Sequence, residues 1–474
     1  MQNNNHACNK LSLLTPIAGG EHLTDMAIAA IAKQKTQVSA LPTLNAGASY
    51  YASSKSLCPH HYQILMDRGW RRSGTILYLP DAARSCCPHY TIRLPAADFK
   101  PGKDQRQSLN RWNRYVLGEK YIKEASIKYP KSKAEKKQEN DFNLLSTVHE
   151  PEKTTVKPDI PPEHIFTVTL EPDDFTEEKF ALFDNYQRHV HHEGDDDISK
   201  VGFKRFLCSS PLHRHDSNGS KPVGSWHHCY RLDGRLIAMS VLDLLPHAVS
   251  GVYFLYHSDF EKWSFGKLSA LREAALALER GYEFYYMGYY IHGCRKMRYK
   301  GDYRPQYVLD LHGFTWDPLD DEMRRLMESR PYASMSKEKE RMASLEGKDG
   351  DGNEPPSKST KTDAEGAPTS DGPASVPGQD IKHPVPLEAS FSGLSLLELG
   401  MPGLTPLPEL HRQVDLDTMK VYLGPRVGVH EMQDIVSWHS GAETESGSIK
   451  GAIAEYASAV GPEIAREVVC DFSR

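Results

Sequence analysis

The stretch SWHHCYRLDGRLIAMSVLDLL, residues 225–245, constrains the fold most. Two long, largely apolar runs flank Asp233-Gly234. A two-residue Asp-Gly turn has the twist that joins neighbouring antiparallel strands, so the segment reads as a β-hairpin. SGVYFLYH follows as an apolar strand. KLSALREAALALER has helical spacing and closes at Gly281, where a left-handed cap is expected. YEFYYMGYY is the next strand. Before the hairpin, HIFTVTLE reads as a strand and residues 175–193 as a helix. The pattern predicts a compact α+β or α/β domain over residues 163–342.

Upstream, residues 49–125 alternate a helical segment (SLCPHHYQILMDRG) with the strand-like runs TILYL and YTIRL. Between them lie Gly69-Trp70-Arg71-Arg72-Ser73-Gly74 and the adjacent pair Cys86-Cys87 before Pro88. Residues 126–162 are charged, carry Pro158, Pro161 and Pro162, and read as a linker. Residues 1–48 are expected to lack regular structure apart from one short helix near 22–34. Residues 343–388 are rich in Pro, Gly, Ser, Asp and Lys and are expected to be a disordered linker. Residues 389–474 regain periodicity, with Pro462 at a helix start, and are expected to form a helical appendage.

The net charge of −6 does not advertise a nucleic-acid partner. Locally the balance reverses: residues 60–137 carry seventeen Lys/Arg against seven Asp/Glu, a basic segment suited to anionic groups. No run of eighteen apolar residues appears, so no membrane partner is expected. Glu21 and Asp25 do not fit a secretory signal pattern. Eight cysteines are too few for a disulfide scaffold, and a reducing compartment fits them best.

Several blocks carry a resemblance. They are Tyr230–Ala238, Val241–Pro246, Val252–Tyr256, Lys267 with Ser269-Ala270-Leu271-Arg272-Glu273, Tyr286-Met287-Gly288, Tyr290-Ile291-His292 and Lys296–Lys300. Together with the Leu65–Arg93 segment they resemble the arginyl-tRNA–protein transferases, fungal-type, over roughly two thirds of the chain. The resemblance implies a small N-terminal cysteine-containing domain and a GNAT-like acyltransferase domain. The strand–loop–helix–strand of residues 251–290 is the central unit of that second fold. Its loop, DFEKWSFGKLS, has only Gly266 where a coenzyme A pyrophosphate would want several backbone N–H groups. No Walker loop appears. Neither ATP nor acetyl-CoA is therefore expected, although an N-acetyltransferase remains an alternative.

The implied reaction transfers arginine from arginyl-tRNA to the α-amine of proteins with acidic N-termini: Asp, Glu or oxidised Cys. The resemblance also implies a place in N-degron proteolysis and a cytoplasmic, also nuclear, location; a monomer is expected. An acidic acceptor wants arginine, and Arg71, Arg72 and Arg93 are the candidates. The arginyl group wants a carboxylate, and Asp243 in the apolar run VLDLLP is the candidate; a buried pair with an arginine of the fold is its competing explanation. The proton goes to His292, to His227 or through the terminal ribose. Tyr253, Tyr256, Tyr286 and Tyr290 are candidates to stack on the terminal adenosine. The basic run Arg295, Lys296, Arg298, Lys300 and Arg304 is suited to tRNA phosphates.

The chain departs from the family at its cysteines. The family pairs Cys-x-x-Cys with Cys-Cys to hold an iron–sulfur cluster or zinc. Here Cys86 and Cys87 remain and only Cys8 lies upstream, so the site is incomplete. Three explanations stay open: an alternative N-terminal segment, loss of the site, or substitute ligands among Cys58, His60, His61 and His89. The incomplete site also keeps open a catalytically inactive tRNA- or degron-binding relative.

Overall fold

The computed structural model describes residues 10–18, 48–132, 142–216, 221–346, 395–445 and 447–472. The helix expected near 22–34, Cys8 and most of the 343–388 linker lie outside the described residues. The chain has a mixed α+β fold built on two sheets.

The first sheet collects both ends of the chain. It contains β1 (Lys10–Ala18), β2 (Ala48–Ser56), β3 (Arg71–Ser73) and β4 (Ile76–Pro80). It is completed by β14 (Lys420–Tyr422), β15 (Val429–Glu431) and β16 (Val469–Asp471), in the order β15-β14-β16-β1-β2-β4-β3. Residues 10–18 thus form a strand inside the stretch expected to lack one. The tail, expected to be helical, supplies three strands as well as the helices Leu407–Gln413, Ile449–Val460 and Pro462–Glu467. Those strands are only three residues each, too short for a period-two pattern to declare itself. Tyr50, Ala52, Leu77 and Leu79 of the sheet share one core with Ile453, Tyr456 and Ala457 of the tail. The Trp70 indole N–H donates to the Ala459 carbonyl at 3.0 Å, and Arg68 donates to Thr405 Oγ1 at 2.8 Å.

The second sheet contains β5 (Tyr90–Pro95), β6 (Phe166–Pro172), β7 (Gly224–Leu232), β8 (Arg235–Leu244) and β9 (Ala248–Tyr256). β10 (Phe284–Tyr286), β11 (Tyr289–Tyr290), β12 (Tyr307–Asp310) and β13 (Thr315–Pro318) complete it. The order is β13-β12-β5-β10-β9-β8-β7-β6, with β11 also on β5. The expected hairpin is β7–β8, and its turn residues Asp233 and Gly234 have φ of 51° and 83°. β9 and β10 run parallel, joined by the Phe265–Arg280 helix, which ends at Gly281 with φ 70°. That helix buries Phe265 and every residue from Leu268 to Ala277, so it lies inside the domain with no amphipathic outer face.

Three boundaries differ from expectation. β5 belongs to the second sheet, between β12 and β10, so a division after residue 125 does not separate the two sheets. Its pairing is long-range and leaves no local trace. Residues 126–162 are more than a linker: the Lys103–Lys128 helix runs into them, Leu144–His149 is helical, and Leu144, Val148 and Ile160 are buried. The single strand expected over YEFYYMGYY is two, broken at Met287-Gly288, where Gly288 has φ 76°.

Candidate functional site

A cleft of about 130 Å³ lies between β9 and the Phe265–Arg280 helix and reaches Met287 just past β10. Its walls include Gly251 and Tyr253 of β9, Gly266, Ser269 and Glu273 of the helix, Tyr285, Tyr299 and Lys300. Side chains on β10 alternate between faces. Tyr285 turns to the helix and donates to Glu273 Oε2 at 2.5 Å. Tyr286 points the other way and donates to Asp67. From β8, Ser240 donates to Glu273 Oε1 at 2.6 Å. Burial pushes the Glu273 carboxyl up to about 7, because the charged form loses water. Lys300 donates to the Tyr289 carbonyl at 3.1 Å. Burial first, and the Arg71 charge second, pull Lys300 down to about 8.

Two of the residues expected to bind substrates hold each other. Arg72 on β3 donates Nε to Asp243 Oδ2 at 2.7 Å and Nη2 to Oδ1 at 2.6 Å. Its remaining N–H groups reach Gly74 O at 3.1 Å and Ser225 Oγ at 3.0 Å. Asp243 is fully buried and the Arg72 side chain is 2% exposed. The expectation that Asp243 receives the arginyl group and Arg72 the acceptor is therefore corrected. A burial this complete demanded a partner, and the partner came from the other sheet. Arg93 lies on the rings of Phe284 and Trp316, at 4.0 and 3.9 Å from their centroids, and 3.9 Å from Asp67 Oδ1.

Arg71 differs from both. It is buried beside Tyr286 and Tyr289 and donates Nη1 to Trp70 O at 2.8 Å. Its Nε and Nη2 have no hydrogen-bond partner among the described residues.

Burial also sorts the aromatics and histidines. Tyr286 and Tyr290 are fully buried, so neither ring offers a face to a nucleotide. Tyr253 lines the cleft and its hydroxyl meets Gln187 and His191. Tyr256 packs edge-on to Tyr186. His227 is fully buried, bonded to Leu207 O, and held down to about 4 by burial. It cannot reach an incoming amine. His292 bonds the Tyr290 hydroxyl at 2.8 Å and Glu328 at 3.3 Å, and lies outside the cleft lining. Arg295, Lys296, Arg298 and Arg304 are exposed; Lys300 turns inward to the cleft.

Among the described residues the cysteine donor set does not complete a four-ligand metal site. Cys86 and Cys87 are exposed with their sulfurs 3.5 Å apart. No group of three or more His, Cys, Asp or Glu among the described residues could hold a metal ion. Cys58 instead caps a helix, accepting from His61 N at 3.4 Å, while the His61 ring bonds Glu467 at 2.8 Å. His89 packs edge-on to Tyr289. Changing Cys86 and Cys87 together to serine is expected to leave the thermal midpoint within about 2 °C, as for other exposed substitutions. Calorimetry of the two proteins checks this, and a drop of 5 °C or more would show that the pair carries structural weight.

Residues 34–107 match the family model described as "Arginine-tRNA-protein transferase, N terminus", and residues 178–310 the one described as its "C terminus". "Arginyl-tRNA--protein transferase 1" of Saccharomyces cerevisiae is 33% identical over 54% of this chain and 50% of its own length. "Arginyl-tRNA--protein transferase 2" of Arabidopsis thaliana is 25% identical over 60% and 73%. "Aspartate/glutamate leucyltransferase" of Pseudomonas putida is 30% identical, covering 58% of this chain and 90% of that protein. The chain belongs to the arginyl-tRNA–protein transferase family. It spans half the length of the yeast member and nearly three quarters of the plant one. A solved C-terminal domain of a putative lysylphosphatidylglycerol synthetase from Agrobacterium fabrum overlaps 43% of this chain and 46% of its own, with TM-score 0.23 and 15% identity, which assigns no fold.

Glu273, buried and lining the cleft, is a carboxylate to which sequence reasoning assigned no role. It stood in the matching block Ser269–Glu273 without a role. Its signal was available: a carboxylate four residues after Ser269, in the middle of an otherwise apolar helical stripe.

Proposed function

We propose that this protein is an arginyltransferase: it moves the arginyl group of arginyl-tRNA to the α-amine of proteins beginning with Asp, Glu or oxidised Cys. The observation that carries the reading is the match to both family models in chain order. The bacterial relative's printed name, which couples aspartate and glutamate to leucyl transfer, supports the acidic acceptor.

The amine nitrogen attacks the ester carbonyl carbon, a C–N bond forms, and the C–O bond to the terminal ribose breaks. The ester is already activated, so the protein's task is alignment and proton movement. The parallel β9–β10 pair joined by the buried helix supports a GNAT-like transferase domain, with the reaction at the cleft between them. Arg71 is the acceptor-favouring arginine in this scheme, buried behind the cleft and acting on an acidic N-terminal side chain through its charge rather than by contact. Arg72 is committed to Asp243, and Arg93 to two rings and Asp67, whereas Arg71 keeps two N–H-bearing nitrogens unpartnered beside Lys300. The exposed Lys296, Arg298 and Arg304 meet tRNA phosphates, and Tyr253 packs on the terminal adenosine. The protein works as a cytoplasmic and nuclear monomer feeding N-degron proteolysis.

The test is transfer of labelled arginine from arginyl-tRNA to peptides beginning with Asp, Glu or Ala. Labelling of the first two alone is expected. No labelling of any peptide, with arginyl-tRNA still bound, would replace this reading by that of an inactive binding relative.

A further inference from the structure

Five carboxylates are buried among the described residues: Asp81, Asp173, Asp243, Glu273 and Asp310. Four have the company that a buried charge needs. Asp81 pairs with Arg84, Asp173 with Arg214 and Asp243 with Arg72. Asp310 accepts from the backbone N–H groups of His312 and Ser336. Glu273 has only two neutral hydroxyls, those of Ser240 and Tyr285. The cation that acts on it, Lys300, does so at a distance and is itself bonded to the Tyr289 carbonyl.

Glu273 is also the buried carboxylate that faces the cleft. The approach to it is kept open by the lack of a side chain at Gly251: a Cβ there would lie 3.5 Å from Glu273 Oε2. The cleft holds the volume of about four water molecules, enough for the end of a slender side chain. Each carboxylate oxygen accepts two hydrogen bonds, and each here has received one. The two remaining acceptor positions suit the fork of a guanidinium, which would also supply the missing counter-charge.

We propose that Glu273 receives the guanidinium of the donor's arginyl group and thereby selects arginine among aminoacyl groups. This rests on the transferase reading above. Ser240 and Tyr285 are the positioning residues that hold the carboxylate, and Gly251 is its open door. Asp243, the carboxylate favoured by sequence, is excluded from the role because Arg72 already occupies it.

The test uses the full chain and two probes, arginine methyl ester and leucine methyl ester, with binding measured by calorimetry. The wild type should bind the arginine ester about 10- to 100-fold more tightly, the range of one hydrogen-bonded charge pair. Glu273→Gln should lose that preference while binding the leucine ester as before. Gly251→Val, which fills the approach while leaving residue 273 a glutamate, should weaken both esters and abolish the preference for the arginine ester. In transfer assays Glu273→Gln should raise KM for arginyl-tRNA by the same factor, with a smaller change in kcat. Equal affinity of the wild type for the two esters, or an unchanged preference in Glu273→Gln, would overturn the assignment. So would a fall in kcat at unchanged KM, which would make Glu273 a proton carrier instead. Selective binding of the arginine ester without any transfer by the wild type would leave the assignment standing and remove the transferase reading.

Discussion

Asp243→Ala is expected to destabilise the protein by about 3–5 kcal/mol. The change leaves the Arg72 guanidinium buried, with two of its four hydrogen bonds gone and no counter-ion. Its surviving partners, Gly74 O and Ser225 Oγ, carry no charge. Arg72→Ala should cost a similar amount for the mirror reason. Replacing both by apolar residues of matching bulk should recover much of the loss, since the penalty comes from the stranded charge more than from the lost pair. Urea denaturation of the two single variants and the double gives the comparison. Single variants within 1 kcal/mol of wild type would mean that water reaches this pair.

Glu273→Gln should stabilise the protein at neutral and higher pH by about 3 kcal/mol while impairing its function. Burial raises the Glu273 carboxyl from 4.5 to about 7 on folding. Between those values the folded state holds a proton that the unfolded state has released, so stability falls as pH rises from about 4.5 to 7 and then levels off. A shift of this size corresponds to about 3 kcal/mol at 1.4 kcal/mol per unit. Glutamine resembles the protonated acid and escapes the loss. The two proteins should be similarly stable near pH 4.5 and diverge by pH 8. A gap that does not grow over that range would show that Glu273 is ionised at no cost in the folded protein. The same substitution separates a functional loss from a folding defect, because unfolding cannot explain a loss in a more stable variant.

What could be read from the chain divides along local and non-local lines. The β7–β8 hairpin was legible because Asp233-Gly234 carries its own geometry, and the Phe265–Arg280 helix because its spacing and Gly281 cap are local. The placement of β5 was not, because Tyr90–Pro95 meets its partners near residues 284 and 307. The tail strands were hidden by their length, three residues each. In the site, residue type was a good guide and residue role a poor one. Arg72 was read as a candidate for an acidic acceptor and Asp243 as a carboxylate out of place in an apolar strand, yet the two answer each other across the two sheets. Glu273 was overshadowed because its helix looked complete as a core element. That the helix also lines a cleft with Gly251, Tyr285 and Lys300 is set by tertiary packing and leaves no local trace.

The position of β5 also bears on how the chain is made. A ribosome releases Tyr90–Pro95 long before the strands that flank it, β10 and β12, exist. Until some two hundred further residues have emerged, both edges of this apolar strand lack their partners. Loop closure over that distance is slow compared with local pairing, and an unpaired strand is a template for wrong contacts. Synthesis of this protein therefore passes through a long interval in which β5 has neither of the neighbours that flank it in the folded sheet. A chain stopped before residue 284 would leave that strand without either of its neighbours.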